Sequence, residues 1–338
     1  MMTNMKRLLL LYTLLISFNS FANDFLDAAA AYERGDYKTA LTLSKELAEQ
    51  GYASAQFLLG SMYKNGKGTA RDFKAAFKWY TKAAEQGESD AQFHLGKMYY
   101  QGKGTPQNYK AAFKWWIKAA EQGDADAQLF LGALYENGKD TPQDYKVAFK
   151  WYAKSAVQGN AAAQFNLGGM YKKGQGTPQD YKEAFKLYAK SAVQGNASAQ
   201  FNLGNSYFNG EGAPQDYKTA IKWYTKAAEQ GLADAQYNLG NMYRKGEGIP
   251  QDYKEAFKWY AKSAVQGNAS AQFNLGVMYR TGLGIPRDNV MAHMFFNIAA
   301  RGGDEKAKKG RDIVADMMTS EKILEAQQLA KAWMRRHN

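Results

Sequence analysis

Apolar side chains recur along this chain at the spacing of an amphipathic helix. Within residues 52–66, the apolar positions Ala55, Leu59 and Met62 follow one another at intervals of four and three residues. This spacing places the three side chains on one face of a helix, here called helix A. Helix A is predicted to end at Gly66, because glycine readily adopts the left-handed conformation that closes a helix.

A second amphipathic segment, here called helix B, follows in the same stretch. Phe73, Ala76, Tyr80 and Ala84 are spaced by three, four and four residues. The spacing predicts a continuous face of aromatic and small side chains. Gly87 follows and is expected to form the turn before the next helix A.

The pair of helices A and B recurs every 36 residues. The segment that begins at Ala55 returns at Ala91, Ala127, Ala163, Ala199, Ala235 and Ala271. A unit of this size cannot bury its apolar face alone, so it is expected to stack on its neighbours as a solenoid with a concave surface. Gly60 is expected to face a large side chain, such as Trp79 or Tyr63, and to let the helices approach closely.

Residues suited to N-capping stand before each helix B. In the later units they are Asn108, Asp144, Asp180, Asp216, Asp252 and Asp288. Their side-chain oxygens can accept hydrogen bonds from the free N–H groups of the first turn. Glu183 and Glu255 follow two of these caps at the spacing of a capping box.

These motifs resemble the Sel1-like repeat, a relative of the tetratricopeptide repeat. Most units read Ala-Gln-x-x-Leu-Gly-x-x-Tyr, then Gly-x-Gly-x-Pro-x-Asp-Tyr, then Ala-x-x-Trp-Tyr-x-Lys-Ala-Ala-x-x-Gly. The resemblance implies an all-α fold, a right-handed α/α solenoid of helix-pair repeats with capping helices. It also implies use in protein–protein contact, often in exported bacterial proteins. The chain departs from the pattern at Ala70, Asp140, Leu187 and Asn289.

The first 22 residues have the pattern of a signal peptide. Lys6 and Arg7 precede an apolar run, and Ser20-Phe21-Ala22 forms a small-x-small cleavage site. The apolar run is shorter than the roughly 20 residues that cross a bilayer, so an uncleaved anchor is the weaker alternative. We therefore expect cleavage near Ala22 and a periplasmic or secreted protein with no membrane span.

Three further segments complete the predicted organisation. Residues 23–51 are expected to form an N-terminal capping helix pair, residues 52–303 seven repeats, and residues 304–338 the C-terminal capping helices. The last helix is expected to cover the final interface with Ile323, Leu324, Leu329 and Trp333.

Several features argue against an enzyme. Catalysis needs a unique constellation of groups, whereas duplication supplies each polar residue many times. The chain has no cysteine and only three histidines, none at ligand spacing, so neither a metal nor a cofactor is expected. A β-lactam or cell-wall hydrolase is the alternative, because some cysteine-rich members of the resembled family are credited with that activity. Those members carry a disulfide in each repeat.

Polar side chains recur on helix A outside its apolar stripe. Asn166, Asn202, Asn238 and Asn274 share one position, which His94 holds in an earlier unit, and Lys97, Asn205 and Asn241 stand three residues further on. Carboxamides both donate and accept hydrogen bonds, so we expect a groove that binds another protein or an extended peptide. A hydrogen bond between repeats, recent duplication and drift are the alternatives.

Lysine recurs at four-residue intervals on helix B. The triplets include Lys110, Lys114 and Lys118, and Lys218, Lys222 and Lys226. The net charge is +12, and removing Lys6 and Arg7 with the leader leaves +10. A solvated outer face is the simplest interpretation, and attraction to an anionic envelope component is the alternative. Nucleic acid is not an expected partner, since no nucleic-acid-binding fold accompanies the charge.

Three functions therefore remain in competition. The first is an exported scaffold that binds a protein, such as a cell-envelope enzyme or a host factor. The second is the hydrolase, and the third is an electrostatic binder of envelope polyanions. Salt distinguishes the third from the first, because screening weakens contacts between exposed charges.

Overall fold

The computed structural model describes residues 24–138 and 141–337, and every regular element in these ranges is an α-helix. The predicted all-α solenoid of helix pairs is confirmed. The predicted signal peptide at residues 1–22 lies outside the described residues and stays a prediction, and Asp140, which departs from the repeat pattern, also lies outside them. The chain divides into two compact units, Met1–Asn160 and Ala161–Asn338.

The described part of the first unit consists of an initial helix pair followed by three complete repeats. Its helices are α1 (24–33), α2 (Tyr37–Glu49), α3 (Ala53–Asn65), α4 (Phe73–Glu85), α5 (Ser89–Gln101), α6 (Tyr109–Glu121), α7 (Ala125–Asn137) and α8 (Tyr145–Val157). From α3 onwards, odd-numbered helices are helix A and even-numbered helices are helix B.

The second unit continues the same alternation and ends with two further helices. Its elements are α9 (Ala161–Lys173), α10 (Tyr181–Val193), α11 (Ala197–Asn209), α12 (Tyr217–Glu229), α13 (Ala233–Lys245), α14 (Tyr253–Val265), α15 (Ala269–Thr281), α16 (Asn289–Ala300), α17 (Glu305–Ala315) and α18 (Ser320–His337). Helices α9 to α16 form four repeats.

The predicted N-caps of helix B are confirmed. In α12, a side-chain oxygen of Asp216 accepts a hydrogen bond from the backbone N–H of Thr219 at 3.0 Å, which satisfies one of the free donors of the first turn. Equivalent capping bonds are made by Asn108, Asp144, Asp180, Asp252 and Asp288. These bonds fix where each helix B begins.

The predicted capping boxes, in contrast, do not form. The backbone N–H of Asp180 donates to the carbonyl of Tyr171 at 2.9 Å, so it has no need of the Glu183 carboxylate. Glu183 instead forms an ion pair with Lys186. A main-chain contact from the preceding helix A therefore replaces the expected side-chain contact.

Helices A and B touch where a glycine faces a buried ring. A Cβ added at Gly204 would lie 2.7 Å from Cδ1 of Tyr224, whose side chain is 1% exposed. A side chain at this position would therefore force the two helices apart. The same contact joins Gly60 to Tyr80, Gly96 to Trp116, Gly132 to Tyr152, Gly168 to Tyr188, Gly240 to Tyr260 and Gly276 to Phe296.

The prediction that Trp79 or Tyr63 faces Gly60 is wrong. Tyr80, and not Trp79 or Tyr63, faces Gly60. Trp79 is half-buried and packs against an apolar cluster formed by α2 and α3. Its ring is covered by Lys82, whose Nζ lies 4.7 Å from the ring centroid. The tryptophan therefore contributes to the interface with the preceding helix pair.

Buried glutamines connect successive repeats. Gln200 is 5% exposed; its Nε2 donates to the carbonyl of Ala192 at 3.1 Å, and its Oε1 accepts from Nε2 of Gln230 at 2.8 Å. A buried amide left without partners would cost about 1–3 kcal/mol. Both contacts recur at Gln56, Gln92, Gln128 and Gln236. The role of these glutamines was not predicted from the sequence.

The last helix packs through small residues. Ala326 and Ala330 of α18 are fully buried, and Trp333 packs against the cluster around α16. The expectation that Leu324 and Leu329 would be buried is wrong, because they are 55% and 38% exposed. Alanines bring the α18 backbone close to its neighbours, which leaves these leucines on the outer side.

Two adjacent glycines of α9 allow a test of the glycine–ring contact. A Cβ at Gly168 would lie 2.9 Å from Cε1 of Tyr188, so Gly168→Ala should lower the free energy of unfolding by about 1–3 kcal/mol. At Gly169 the nearest atom is the Tyr188 hydroxyl, 3.9 Å away. Gly169→Ala should therefore raise that free energy by about 0.5–1 kcal/mol, since alanine is the better helix former. Urea unfolding measures both, and shifts of the same sign would contradict the contact.

Candidate functional site

The predicted groove asparagines lie on four successive helices A of the second unit. Asn166, Asn202, Asn238 and Asn274 are all half-buried. The Nδ2 of Asn238 donates to Oδ1 of Asn205, in the preceding repeat, at 3.4 Å. Within the described part of the chain, Asn202 makes no side-chain hydrogen bond. The contact between repeats that the sequence left open therefore occurs, but not at every asparagine.

A cavity of about 270 Å³ opens between α11 and α13 and brings several of these residues together. We call it the amide pocket. It is lined by Asn205, Phe208, Asn209, Tyr224, Asn238, Asn241, Met242, Lys245 and Glu247. Four of these nine side chains are carboxamides, which can pair with both the N–H and the C=O of a peptide main chain.

Two of the predicted groove residues also support the frame. The hydroxyl of Tyr224 donates to Oδ1 of Asn205 at 2.7 Å, and that of Tyr260 to Oδ1 of Asn241 at the same distance. A buried phenol needs such a partner. Burial raises the pKa of Tyr260 to about 12, so its hydroxyl stays protonated at neutral pH. The signal missed in the sequence is the constant separation of 19 residues between each asparagine and its tyrosine.

The first unit contains a corresponding cavity of about 320 Å³ between α3 and α5. We call it the lysine pocket. It is lined by Lys64, Asn65, Phe73, His94, Lys97, Met98, Gln101 and Lys103. His94 and Lys97 are the residues that the sequence predicted for the groove. Lys64 and Lys103 were missed because they do not share the asparagine register.

His94 is neutral in this pocket at physiological pH. Its ring stacks on those of Tyr80 and Phe57, with centroids 5.4 and 5.8 Å apart. Burial lowers the pKa of His94 to about 4, and the charges of Lys64 and Lys97 act in the same direction. The positive charge of the pocket therefore comes from its lysines.

The two pockets occupy equivalent positions, and the repeats that form them are separated by 144 residues, which is four repeats. Lys64 corresponds to Phe208, His94 to Asn238, Lys97 to Asn241, Met98 to Met242, Gln101 to Lys245 and Lys103 to Glu247. The methionine is buried in both. The frame is thus kept while the polar lining changes from cationic to mostly uncharged.

The predicted basic face consists of exposed lysines on helix B. Lys110, Lys114 and Lys118 of α6 and Lys218, Lys222 and Lys226 of α12 are all exposed. In each triplet the last lysine covers a tryptophan of its own helix. The Nζ of Lys118 lies 4.5 Å from the ring centroid of Trp115, and that of Lys226 lies 4.7 Å from that of Trp223. Such contacts are worth about 0.5–1 kcal/mol at exposed sites. This lysine position therefore has a structural cause, whereas contact with an anionic envelope component stays a prediction.

Residues 24–138 and 141–337 contain no group of three or more His, Asp or Glu side chains that could hold a metal ion. Within the same ranges, none of the helices combines the length and apolar character that a bilayer crossing requires.

A family model described as the Sel1 repeat matches seven consecutive segments of the chain. The matched residues are 53–88, 89–124, 125–160, 161–196, 197–232, 233–268 and 269–304. Each segment contains one of the helix pairs described above. No curated protein matches the chain.

Solved structures share this fold, and two of them illustrate the similarity to this chain. A Sel1 repeat protein from Oxalobacter formigenes is 35% identical, with a TM-score of 0.65 over 86% of this chain and 85% of that chain. A protective antigen present in uropathogenic Escherichia coli strains, which displays an SLR fold, is 29% identical, with a TM-score of 0.54 over 95% of this chain and 85% of that one. With its helix pairs, its glycine–ring contacts and seven matched repeats, the chain belongs to the Sel1 repeat family.

Proposed function

We propose that this protein is an exported, non-catalytic scaffold that binds another protein through the groove formed by helices A. The Sel1 repeat family generally has a non-catalytic scaffold fold, which supports protein partners. The observation that carries the proposal is the pair of equivalent pockets, with lysines in one and carboxamides in the other. A constant frame with a varied lining is what selective recognition by a repeat protein requires.

The amide pocket suits an extended peptide segment. Asn209 and Lys245 are exposed at its edge, and Asn241 is half-buried within it. Hydrogen bonds from carboxamides to a peptide main chain contribute about 0.5–1.5 kcal/mol each, so several are needed for useful affinity. The half-buried ring of Phe208 in the lining offers apolar contact to a peptide side chain. The carboxamides therefore bind the main chain of the peptide, and the ring of Phe208 selects among its side chains.

Export rests on two separate arguments. The first is the leader pattern of residues 1–22. The second is the structural similarity to a protective antigen present in uropathogenic Escherichia coli strains, because export makes a protein accessible to antibodies. Neither argument depends on the pockets.

Replacement of groove asparagines tests the binding site. A photo-reactive side chain at Lys245 should first identify the partner by cross-linking in the native cell. Asn209→Ala with Asn238→Ala, which both line the amide pocket, should then lower the affinity for that partner by about 1–3 kcal/mol, because two main-chain hydrogen bonds are lost. Helicity should be kept or rise slightly, because alanine favours helix. Calorimetric titration of the purified proteins measures the change.

The matched control is Lys218→Gln with Lys222→Gln on the outer face of α12. These two lysines are exposed, and neither is the lysine that covers Trp223. The control should bind like the wild type. Loss of binding in the lysine variant with full binding by the asparagine variant would contradict the groove and favour the electrostatic interpretation.

Cleavage of the leader is a separate expectation. Mass spectrometry of protein isolated from its native cells should give a first residue near Asn23, because Ala22 ends the small-x-small motif. Mature protein that still carries Met1 would contradict export by a cleaved signal peptide.

A further inference from the structure

The lysine pocket concentrates positive charge without a counter-ion. Burial lowers the pKa of Lys64, and the charges of Lys97 and Lys103 lower it further. Among the described residues, these three lysines form no ion pair with a carboxylate, although six such pairs occur elsewhere. Mutual repulsion in a partly buried cavity is unfavourable, so an anion from outside the chain would stabilise it.

The equivalent positions of another repeat show which anion fits. Lys172 and Glu211 stand three repeats after Lys64 and Lys103. The Nζ of Lys172 lies 2.8 Å from Oε2 of Glu211, and both side chains are about one-third exposed. In this repeat, the carboxylate of Glu211 therefore contacts the lysine at the end of helix A and neutralises its charge. In the lysine pocket the acidic residue is replaced by Lys103, which reverses the charge and leaves the position of the carboxylate to be filled.

We propose that the lysine pocket is a subsite for an acidic side chain of a polypeptide partner. A Glu or Asp carboxylate enters between Lys64, Lys97 and Lys103, where it takes the place that Glu211 holds beside Lys172. Phe73 and Met98 line the same cavity and contact the apolar part of the incoming side chain or its neighbour. A charge-assisted hydrogen bond of this kind is short and about twice as strong as a neutral one.

This subsite deepens the proposed function and rests on it, since it gives the helix A surface of the first unit a preference for acidic segments. The lysines of the outer face do not produce the same effect, because they are spread along an exposed surface and their contacts with an anion are screened by salt. In the lysine pocket, Lys64 and Lys97 are half-buried and the exposed Lys103 lines the same cavity, so the charges of the two half-buried lysines are screened less by salt.

The test uses the full mature chain and two labelled synthetic peptides. One peptide alternates glutamate with leucine, and the other has glutamine in place of every glutamate. Fluorescence anisotropy should show that the glutamate peptide binds at least about tenfold more tightly, which corresponds to 1.4 kcal/mol. Lys103→Glu should abolish this preference, because the new carboxylate pairs with Lys64 as Glu211 pairs with Lys172.

The matched control is Lys110→Glu, which makes the same change in charge at an exposed position of helix B. It should keep the preference for glutamate within about twofold, because long-range attraction to an exposed charge is weak in salt. Equal binding of the two peptides, or an equal loss in the two variants, would overturn the subsite. If either result is obtained while a partner still cross-links at Lys245, the subsite is wrong and the proposed function stands. If no partner cross-links at Lys245 while the preference for glutamate is kept, the amide pocket is wrong and the subsite stands.

Discussion

The contact between the glycine of helix A and the buried ring of helix B determines how closely the two helices of each repeat pack. Because Gly204 has no Cβ, the ring of Tyr224 lies directly against the α11 backbone. The hydroxyl of that ring then reaches Asn205 at the wall of the amide pocket. Tyr224 thus packs in the core and also orients the side chain of Asn205, so the packing of the two helices determines part of the candidate site.

Close packing at the glycine–ring contact also explains the presence of the buried glutamines and the N-caps. Close packing of alanine-rich helices buries backbone groups at helix ends, and those groups need partners. Gln200 supplies them between repeats, and Asp216 supplies them at the start of helix B. Since each repeat contacts only its neighbours within a unit, the same small set of contacts is sufficient each time.

Local chemistry made most of the fold predictable from the sequence. Helix ends and N-caps depend on residues within one turn, so Gly66 and Asp216 were assigned correctly. Contacts between helices depend on which face of the helix a side chain occupies. The sequence did not determine that face for Trp79, so the prediction that it would face Gly60 was wrong. The capping box at Glu183 failed for a related reason, because a carbonyl from the preceding helix already occupied the N–H group.

The candidate site was predictable only in part. Repetition of one position pointed to Asn238, and the structure does place it beside Asn205 and Asn241 in one cavity. The double use of Asn205 could not be inferred, since it needs the position of a ring 19 residues away. The sequence alone shows that two repeats have glutamate, Glu211 and Glu247, at the position of Lys103. Only the distance between Lys172 and Glu211 shows that a carboxylate there pairs with the lysine of helix A.

Hydrogen–deuterium exchange of the full chain, with and without the polypeptide that cross-links to Lys245, tests most directly whether helices A form the binding surface. We expect slower exchange in α11 and α13, which carry the amide pocket, and unchanged exchange at the lysine-bearing turns of α6 and α12. Protection confined to those lysine-bearing turns, with none in α11 and α13, would contradict binding through helices A.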